Sequence, residues 1–260
     1  MRIVAINASH RGDKGFTRFF LDRLMHGATA GGAECDVVTL AKLQINRCIS
    51  CFRCQTGQPH LVCVYRGKDD AAGVFEKMAG ADIIIFATPI YMMNMAGLLK
   101  IFLERMYSTM DINDVRLSSG LIHHHINAAL SSKPFVVLVT CVNVETQTYK
   151  SVTSYFRTYA KFMEARQVGV LVRNGSTLFD YQKNPKLGKD FPRIFAVCRA
   201  YEQAGRELAT QGFIRRSTQR AANQEIVPLP FFRVLKHFRP IRKRFIEYVR
   251  KMTEQEGIRL

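Results

Sequence analysis

An α/β fold built on a parallel sheet is predicted by two features of this chain. Five short runs, rich in β-branched residues and apolar on both faces, recur along the first 172 residues. Longer stretches of helical periodicity separate them. Strands buried on both faces and alternating with helices imply a parallel sheet covered on both sides. At 260 residues and 47% hydrophobic content the chain can bury a sizeable core. That suits one large domain, or one of about 200 residues with an appendage.

The elements follow in order. Ile3 to Ala8 reads as the first strand. Phe16, Phe19, Phe20, Leu24 and Met25 carry a helix that ends near Gly31-Gly32. Cys35 to Leu40 is the second strand, and 46 to 66 has no clear period and reads as a loop. Asp69 or Asp70 caps a helix running to Met78. Ala81 to Thr88 is the third strand, and Met95 to Tyr107 a helix with Leu98, Leu99, Phe102 and Met106 on one side. Pro134 to Cys141 and Gln167 to Val172 are the fourth and fifth strands. Helices run from Thr148 to Glu164 and from Pro192 to Gln211. The uncharged stretch Ile83 to Leu99 is barely long enough to span a bilayer. Pro89, Asn94 and Gly97 break it, so a buried strand, a turn and a helix explain it better. The expected division is a main domain over 1–212, with an insertion at 111–132, and a basic extension over 213–260.

In an open parallel sheet, ligands bind beyond the C-terminal ends of the strands. The loop after the first strand, Asn7 to Thr17, leaves a strand and enters a helix, whose N-terminus favours an anion. Ser9 and Thr17 add hydroxyl donors, and Arg11 and Lys14 positive charge. The loop lacks both G-x-G-x-x-G and the full P-loop pattern, so a terminal monophosphate fits better than a dinucleotide. An ordinary capped turn is the alternative. After the third strand, Thr88-Pro89-Ile90-Tyr91-Met92-Met93-Asn94-Met95 offers a stiff, polarisable wall for a planar heteroaromatic ring. The alternative is methionines filling core or a subunit contact.

Cys48, Cys51, Cys54 and Cys63 are spaced C-x2-C-x2-C-x8-C in a chain with seven cysteines. Four thiolates in a compact loop are candidate ligands for a [4Fe–4S] cluster. Zinc and reduced free thiols are the alternatives. Cys35, Cys141 and Cys198 are isolated and expected to be buried. The cysteine spacing is not a secreted disulfide framework, and the strand-like N-terminus does not read as a signal peptide. A reducing, cytoplasmic setting is therefore expected. His123-His124-His125, on a loop or strand of the insertion, is a weak metal candidate, because consecutive strand residues face opposite ways.

The net charge is +17, and residues 213–260 hold 12 Lys and Arg against 4 Asp and Glu. Val234, Leu235, Phe238, Ile241, Phe245, Ile246 and Val249 recur at near-helical spacing there, with Pro240 breaking the segment or starting a fresh helix at Ile241. Packing on its own domain or a dimer partner is expected; peripheral contact with an anionic membrane is the alternative. No recognition motif accompanies the charge, which argues against nucleic acid.

Ser9-x-Arg11 leading to Gly15-Phe16-Thr17, the cysteine block with Asp69-Asp70, and Pro89-Ile90-Tyr91 followed by Gly97-x-Leu99-Lys100-x-Phe102-x-Glu104-Arg105 occur in one order. Over roughly residues 1 to 175 this resembles the NAD(P)H-dependent FMN reductases, and more narrowly their iron–sulfur flavoprotein branch. The resemblance implies a flavodoxin-like, doubly wound five-stranded sheet of order 2-1-3-4-5 that binds FMN. Ser9, Arg11, Gly15, Phe16 and Thr17 would hold the ribityl phosphate. Pro89, Ile90, Tyr91, Met92, Asn94 and Met95 would line the isoalloxazine edge, and the loop from Thr140 to Glu145 would cover the other side. Glycine is common there in the family, and this chain has none. NAD(P)H would be the co-substrate, and a quinone, flavin, nitro compound or protein the acceptor, in a homodimer. No side-chain acid, base or nucleophile is required. The rival readings are an electron carrier with FMN and a [4Fe–4S] cluster, and a non-enzymatic interaction protein on the same scaffold.

Overall fold

The computed structural model describes every residue except 119, 144, 146, 227–237 and 256–260. The chain divides into two units, Met1–Gln224 and Glu225–Leu260. The strands are β1 (Arg2–Asn7), β2 (Glu34–Thr39), β3 (Ile83–Tyr91), β4 (Asn94–Met95), β5 (Met110–Ser118), β6 (Leu121–Ile126), β7 (Phe135–Thr140) and β8 (Gln167–Arg173). The helices are α1 (Phe16–Ala30), α2 (Arg53–Thr56), α3 (Ala71–Ala79), α4 (Gly97–Arg105), α5 (Ala128–Ser131), α6 (Lys150–Phe162), α7 (Pro185–Asp190), α8 (Arg193–Gln211), α9 (Arg216–Asn223) and α10 (Arg239–Gln255).

Five parallel strands stand in the order β2-β1-β3-β7-β8, the doubly wound order expected from the resemblance. β1 pairs with β3 from Ile3↔Ile83 to Asn7↔Ala87, so both strands end at the same rim. Alternation sends Val4, Ile6, Ile84, Phe86 and Val137 to one face, into a cluster with Val74, Phe102 and Phe156 of α3, α4 and α6. On the other face α1 lies against β1, β3 and β7, with α8 beside it.

The approach of α1 to α8 depends on two glycines. A Cβ on Gly205 would fall 1.9 Å from the Leu24 carbonyl oxygen, and one on Gly27 would fall 1.9 Å from that of Glu202. Backbone cannot yield as a side-chain tip can. Gly205→Ala is therefore expected to force the helices apart at a cost of about 3 kcal/mol, the upper end of ordinary overpacking. Thermal denaturation checks this; an unchanged midpoint would contradict it.

The first unit extends past residue 212, where the sequence reading placed its end. Ile214 N–H donates to the Val168 carbonyl. The Gln219 and Asn223 side-chain oxygens on α9 accept from Val170 N–H (2.9 Å) and Val172 N–H (2.7 Å), and Asn223 Nδ2 returns a bond to the Val170 carbonyl. These amides satisfy the free edge of β8, which would otherwise invite another strand. Buried Arg173 adds bonds to the Ala222 and Gln224 carbonyls. Residues 213–224 thus belong to the sheet unit, and the separate extension begins at Glu225.

Three smaller corrections follow. Met95 lies in β4 rather than opening α4, because Asn94–Met95 folds back onto Ile90–Tyr91. The histidine triplet lies on β6, paired with β5 as Arg116↔His123; His123 is buried against Phe162 (5.9 Å), and a register shift between His124 and His125 leaves both of these exposed. Cys35 is half-buried rather than buried. In the second unit Pro240 sits in the first turn of α10, where its missing N–H costs nothing. Pro228, Pro230, Val234 and Leu235 lie outside the described residues. Among the described residues no helix is long and apolar enough to cross a membrane, and Ile83–Leu99 resolves into β3, a hairpin and α4.

Candidate functional site

β1 delivers Asn7 to the rim, where its fully buried amide shapes the following loop. Asn7 Oδ1 accepts from Ser9 N–H and its Nδ2 donates to the Gly12 carbonyl, both at 3.2 Å. Ser9 Oγ accepts from Arg11 N–H. A single 3-10 turn, Gly12–Lys14, then leads into Gly15 and the start of α1. No side chain caps that start, so the first N–H groups of α1 are free to meet a ligand. A Cβ on Gly15 would lie 2.6 Å from Ser9 Oγ, so any larger residue there must push that hydroxyl aside. The result is a small, donor-lined cradle. Asp13 answers Arg18 (2.6 Å), Lys42 and the Thr39 hydroxyl, and the Lys42 hydrogen bond leads in holding its carboxyl below the usual carboxylate range. Arg11 and Lys14 are exposed on the same loop and form no ion pair among the described residues. Phe16 opens α1 half-buried, and Thr17 Oγ1 lies 2.7 Å from Thr140 Oγ1 at the end of β7.

The second wall is the hairpin at the end of β3. Thr88 is fully buried, and its Oγ1 accepts from Ala96 N–H, closing the hairpin's base. Ile90 pairs with Met95 and Tyr91 with Asn94. The two turn residues, Met92 and Met93, have φ of 45° and 63°. Both positions demand the left-handed region, where Asn-Gly is usual. Each methionine stores on the order of 1–3 kcal/mol there, a level that concentrates at ligand clamps. The Ser151 hydroxyl donates to the Met93 carbonyl and holds the turn. Met92 is 95% exposed. Met95 turns the other way, into the core, so it supports the wall rather than lining it.

The rings of His10 and Tyr91 approach to 5.4 Å, so the cradle and the hairpin share one rim. Ser9, Arg11, Gly15, Phe16, Thr17 and Thr140 therefore stand with Pro89, Ile90, Tyr91, Met92 and Asn94 at the ends of the adjacent strands β1, β3 and β7. Beyond Thr140, Cys141 is buried and Val142 exposed, and residue 144 lies outside the described residues. Sequence reasoning assigns no role to Asn7, His10, Thr88 or Ser151; those of His10 and Ser151 rest on partners distant in the chain, Tyr91 and Met93. Only the Asn7-x-Ser9 spacing, suited to a side-chain-to-backbone turn, signals its role in the sequence.

Cys48, Cys51, Cys54 and Cys63 line one recess together with Phe52, Tyr65, Arg105 and Tyr107. Cys54 is buried and Cys51 exposed. Burial, with Cys63 and Cys48 nearby, pushes the Cys54 thiol above the ordinary thiol range. Ser50 and Phe52, the residues flanking Cys51, have φ of 51° and 57°. No three His, Cys, Asp or Glu side chains among the described residues converge to hold a single metal ion. One zinc ion needs its sulfurs at about 2.3 Å, and hence close together. A four-iron cluster is a larger body and takes thiolates spread around it. Four soft donors line one recess, the donor set that iron–sulfur clusters and zinc both take. The uncapped start of α1, with its free backbone N–H groups, likewise suits a phosphate.

Comparison with known proteins gives a consistent pattern. The model of the NADPH-dependent FMN reductase family matches residues 1–169. An iron-sulfur flavoprotein of Archaeoglobus fulgidus is 33% identical over 105 residues, which cover 40% of this chain and 48% of that protein. This chain thus spans about half the length of the curated relatives it matches. Among solved structures, an FMN-dependent NADH-azoreductase from Bacillus anthracis superposes with a TM-score of 0.57 at 10% identity, over 80% of this chain and 99% of that one. An NAD(P)H:quinone oxidoreductase from Methanothermobacter marburgensis gives 0.52 at 15% identity, over 80% and 96%. These structural likenesses establish the fold.

Proposed function

Because the chain belongs to the family of NADPH-dependent FMN reductases, we propose that it is an oxidoreductase using NAD(P)H and FMN to reduce an acceptor, whether quinone, free flavin, nitro compound or protein. FMN, when bound, supplies the redox chemistry between nicotinamide and acceptor. The chain's own residues bind and orient. Ser9, Thr17 and the open N–H groups at Phe16 and Thr17 hold the phosphate, with Arg11 and Lys14 adding attraction. The hairpin from Pro89 to Asn94 supports the flat ring, and its strained tip keeps one edge of that ring against backbone. The observation that carries the reading is the meeting of the uncapped α1 start and the Tyr91 hairpin on one rim, with His10 5.4 Å from Tyr91. The exposed tip at Met92 and Met93 suits a second copy closing the site, so a homodimer is part of the proposal. Seven free cysteines suit a reducing, cytoplasmic setting.

Anaerobic addition of NADPH or NADH to FMN-loaded protein tests it. The flavin absorbance is expected to bleach at an enzymatic rate and to return when a quinone is added. Absence of bleaching with either nucleotide would overturn the proposal.

A second reading is favoured by one observation, the gathering of four cysteines around a single recess. On that reading Cys48, Cys51, Cys54 and Cys63 hold a [4Fe–4S] cluster, and the protein passes single electrons; the Archaeoglobus fulgidus relative is called an iron-sulfur flavoprotein.

A further inference from the structure

Arg105 ends α4 with its guanidinium only 3% exposed, beside the cysteine recess rather than in water. Such a buried cation needs a reason. Its partners supply one. Arg105 Nη1 donates to the Asn46 carbonyl at 2.9 Å and to Asp69 Oδ2, and Nη2 reaches Asp69 Oδ1 at 3.4 Å. Asn46 lies two residues before Cys48, and Asp69 six residues after Cys63. One guanidinium therefore grips both ends of the cysteine loop. Asp69 tightens the grip by accepting from Asn46 N–H (2.9 Å) and Ala71 N–H (3.3 Å). Tyr65 lies under the guanidinium at 5.1 Å. A second anchor holds the middle of the loop. Buried Gln55, next to Cys54, donates to the Tyr107 and Met110 carbonyls and accepts from Ile112 N–H.

We propose that Arg105 is a positioning residue that holds the four-thiol loop closed around its recess before any metal arrives. The closed loop presents Cys48, Cys54 and Cys63 together, with the guanidinium of the Arg105–Asp69 pair beside them as a hydrogen-bond donor. Its bearing on a cluster rests on the second reading above. Closure itself does not, because the bonds from Arg105 to Asn46 and Asp69 and from Gln55 to Tyr107 and Met110 hold without a thiol. Arg105 also meets Cys63, and Gln55 Nε2 also lies 3.6 Å from Cys54 Sγ. The planar fork matters as well as the charge: a lysine can meet Asp69 but cannot also bridge to the Asn46 carbonyl with fixed geometry.

Two measurements on full-length protein separate the ideas. The first uses metal-free, FMN-loaded protein and the rate at which a thiol reagent modifies it. Arg105→Gln is expected to speed modification of the shielded Cys48, Cys54 and Cys63 about tenfold, with FMN affinity unchanged. Arg105→Lys should restore part of the protection. Asp69→Asn, which leaves the guanidinium in place, should act in the same direction and serves if Arg105→Gln does not fold. Wild-type rates in both Arg105→Gln and Asp69→Asn, or in Asp69→Asn alone where Arg105→Gln does not fold, would overturn the proposal. The second uses anaerobic reconstitution with ferrous iron and sulfide. Wild-type protein is expected to load iron and to give a cluster electron-resonance signal on reduction, and Arg105→Gln to load about tenfold less. Should the wild type take up no iron while the reactivity difference persists, the cluster reading fails and the clasp stands.

Discussion

Gly15→Val is expected to yield a folded, colourless protein whose affinity for FMN has fallen about 100-fold, or about 2.7 kcal/mol. The Cβ that Gly15 lacks would lie 2.6 Å from Ser9 Oγ, and that oxygen is fixed by the Arg11 N–H. The added side chain must push the Ser9 hydroxyl aside and break its bond to Arg11 N–H, a bond that shapes the loop leading into the open end of α1. Distortion should stay local, because β1 and the core half of α1 are held by residues such as Ile6, Phe20 and Leu24, all fully buried. A coupled measurement sharpens the test. Gly15→Ala should cost less in a Ser9→Ala background, where the clashing oxygen is gone, and the cycle isolates that contact. Fluorescence titration of the apoprotein with FMN reads the affinities. Wild-type affinity in Gly15→Val would remove the cradle from the site.

Cys54→Ser is expected to abolish iron and acid-labile sulfide in anaerobically purified protein while leaving FMN affinity within about twofold. Cys54 is the buried thiol of the recess, so no water-exposed substitute reaches its position. Serine conserves shape, which limits the packing loss, yet its hydroxyl is a poor replacement for a thiolate on iron. Iron and sulfide analysis together with the visible spectrum decides this. Equal iron content in wild type and variant would remove Cys54 from the ligand set. If neither protein contains iron, the cluster reading is lost and the reductase reading stands.

The sheet was legible because its strands are buried on both faces. A run such as Ile83-Ile84-Ile85-Phe86 has few other uses in a chain of this composition. Strand order followed from the resemblance, and the pairings of β1 with β2 and β3 agree with it. The turn from Asn7 into α1 was legible because its parts are neighbours between residues 7 and 17. The hairpin tip was seen as a wall, but its backbone was not, since a two-residue strand has no period to read. Met95 was assigned to a helix and to the site for the same reason; pairing with Ile90 turns it into the core. The closure of β8 by Gln219 and Asn223 had no signal, because side-chain amides there act in place of a strand. Arg105 stood inside the quoted family block, yet only tertiary structure brings it to both Asn46 and Asp69.

Titration of the apoprotein with FMN and with riboflavin by calorimetry tests most directly whether the Ser9 loop and the Tyr91 hairpin serve one ligand. The two compounds share the flat ring and differ in the phosphate. The expected result is one FMN per chain, with riboflavin bound at the same site about 100-fold more weakly. Equal affinity for both, or no uptake of either, would contradict a phosphate cradle joined to a ring support.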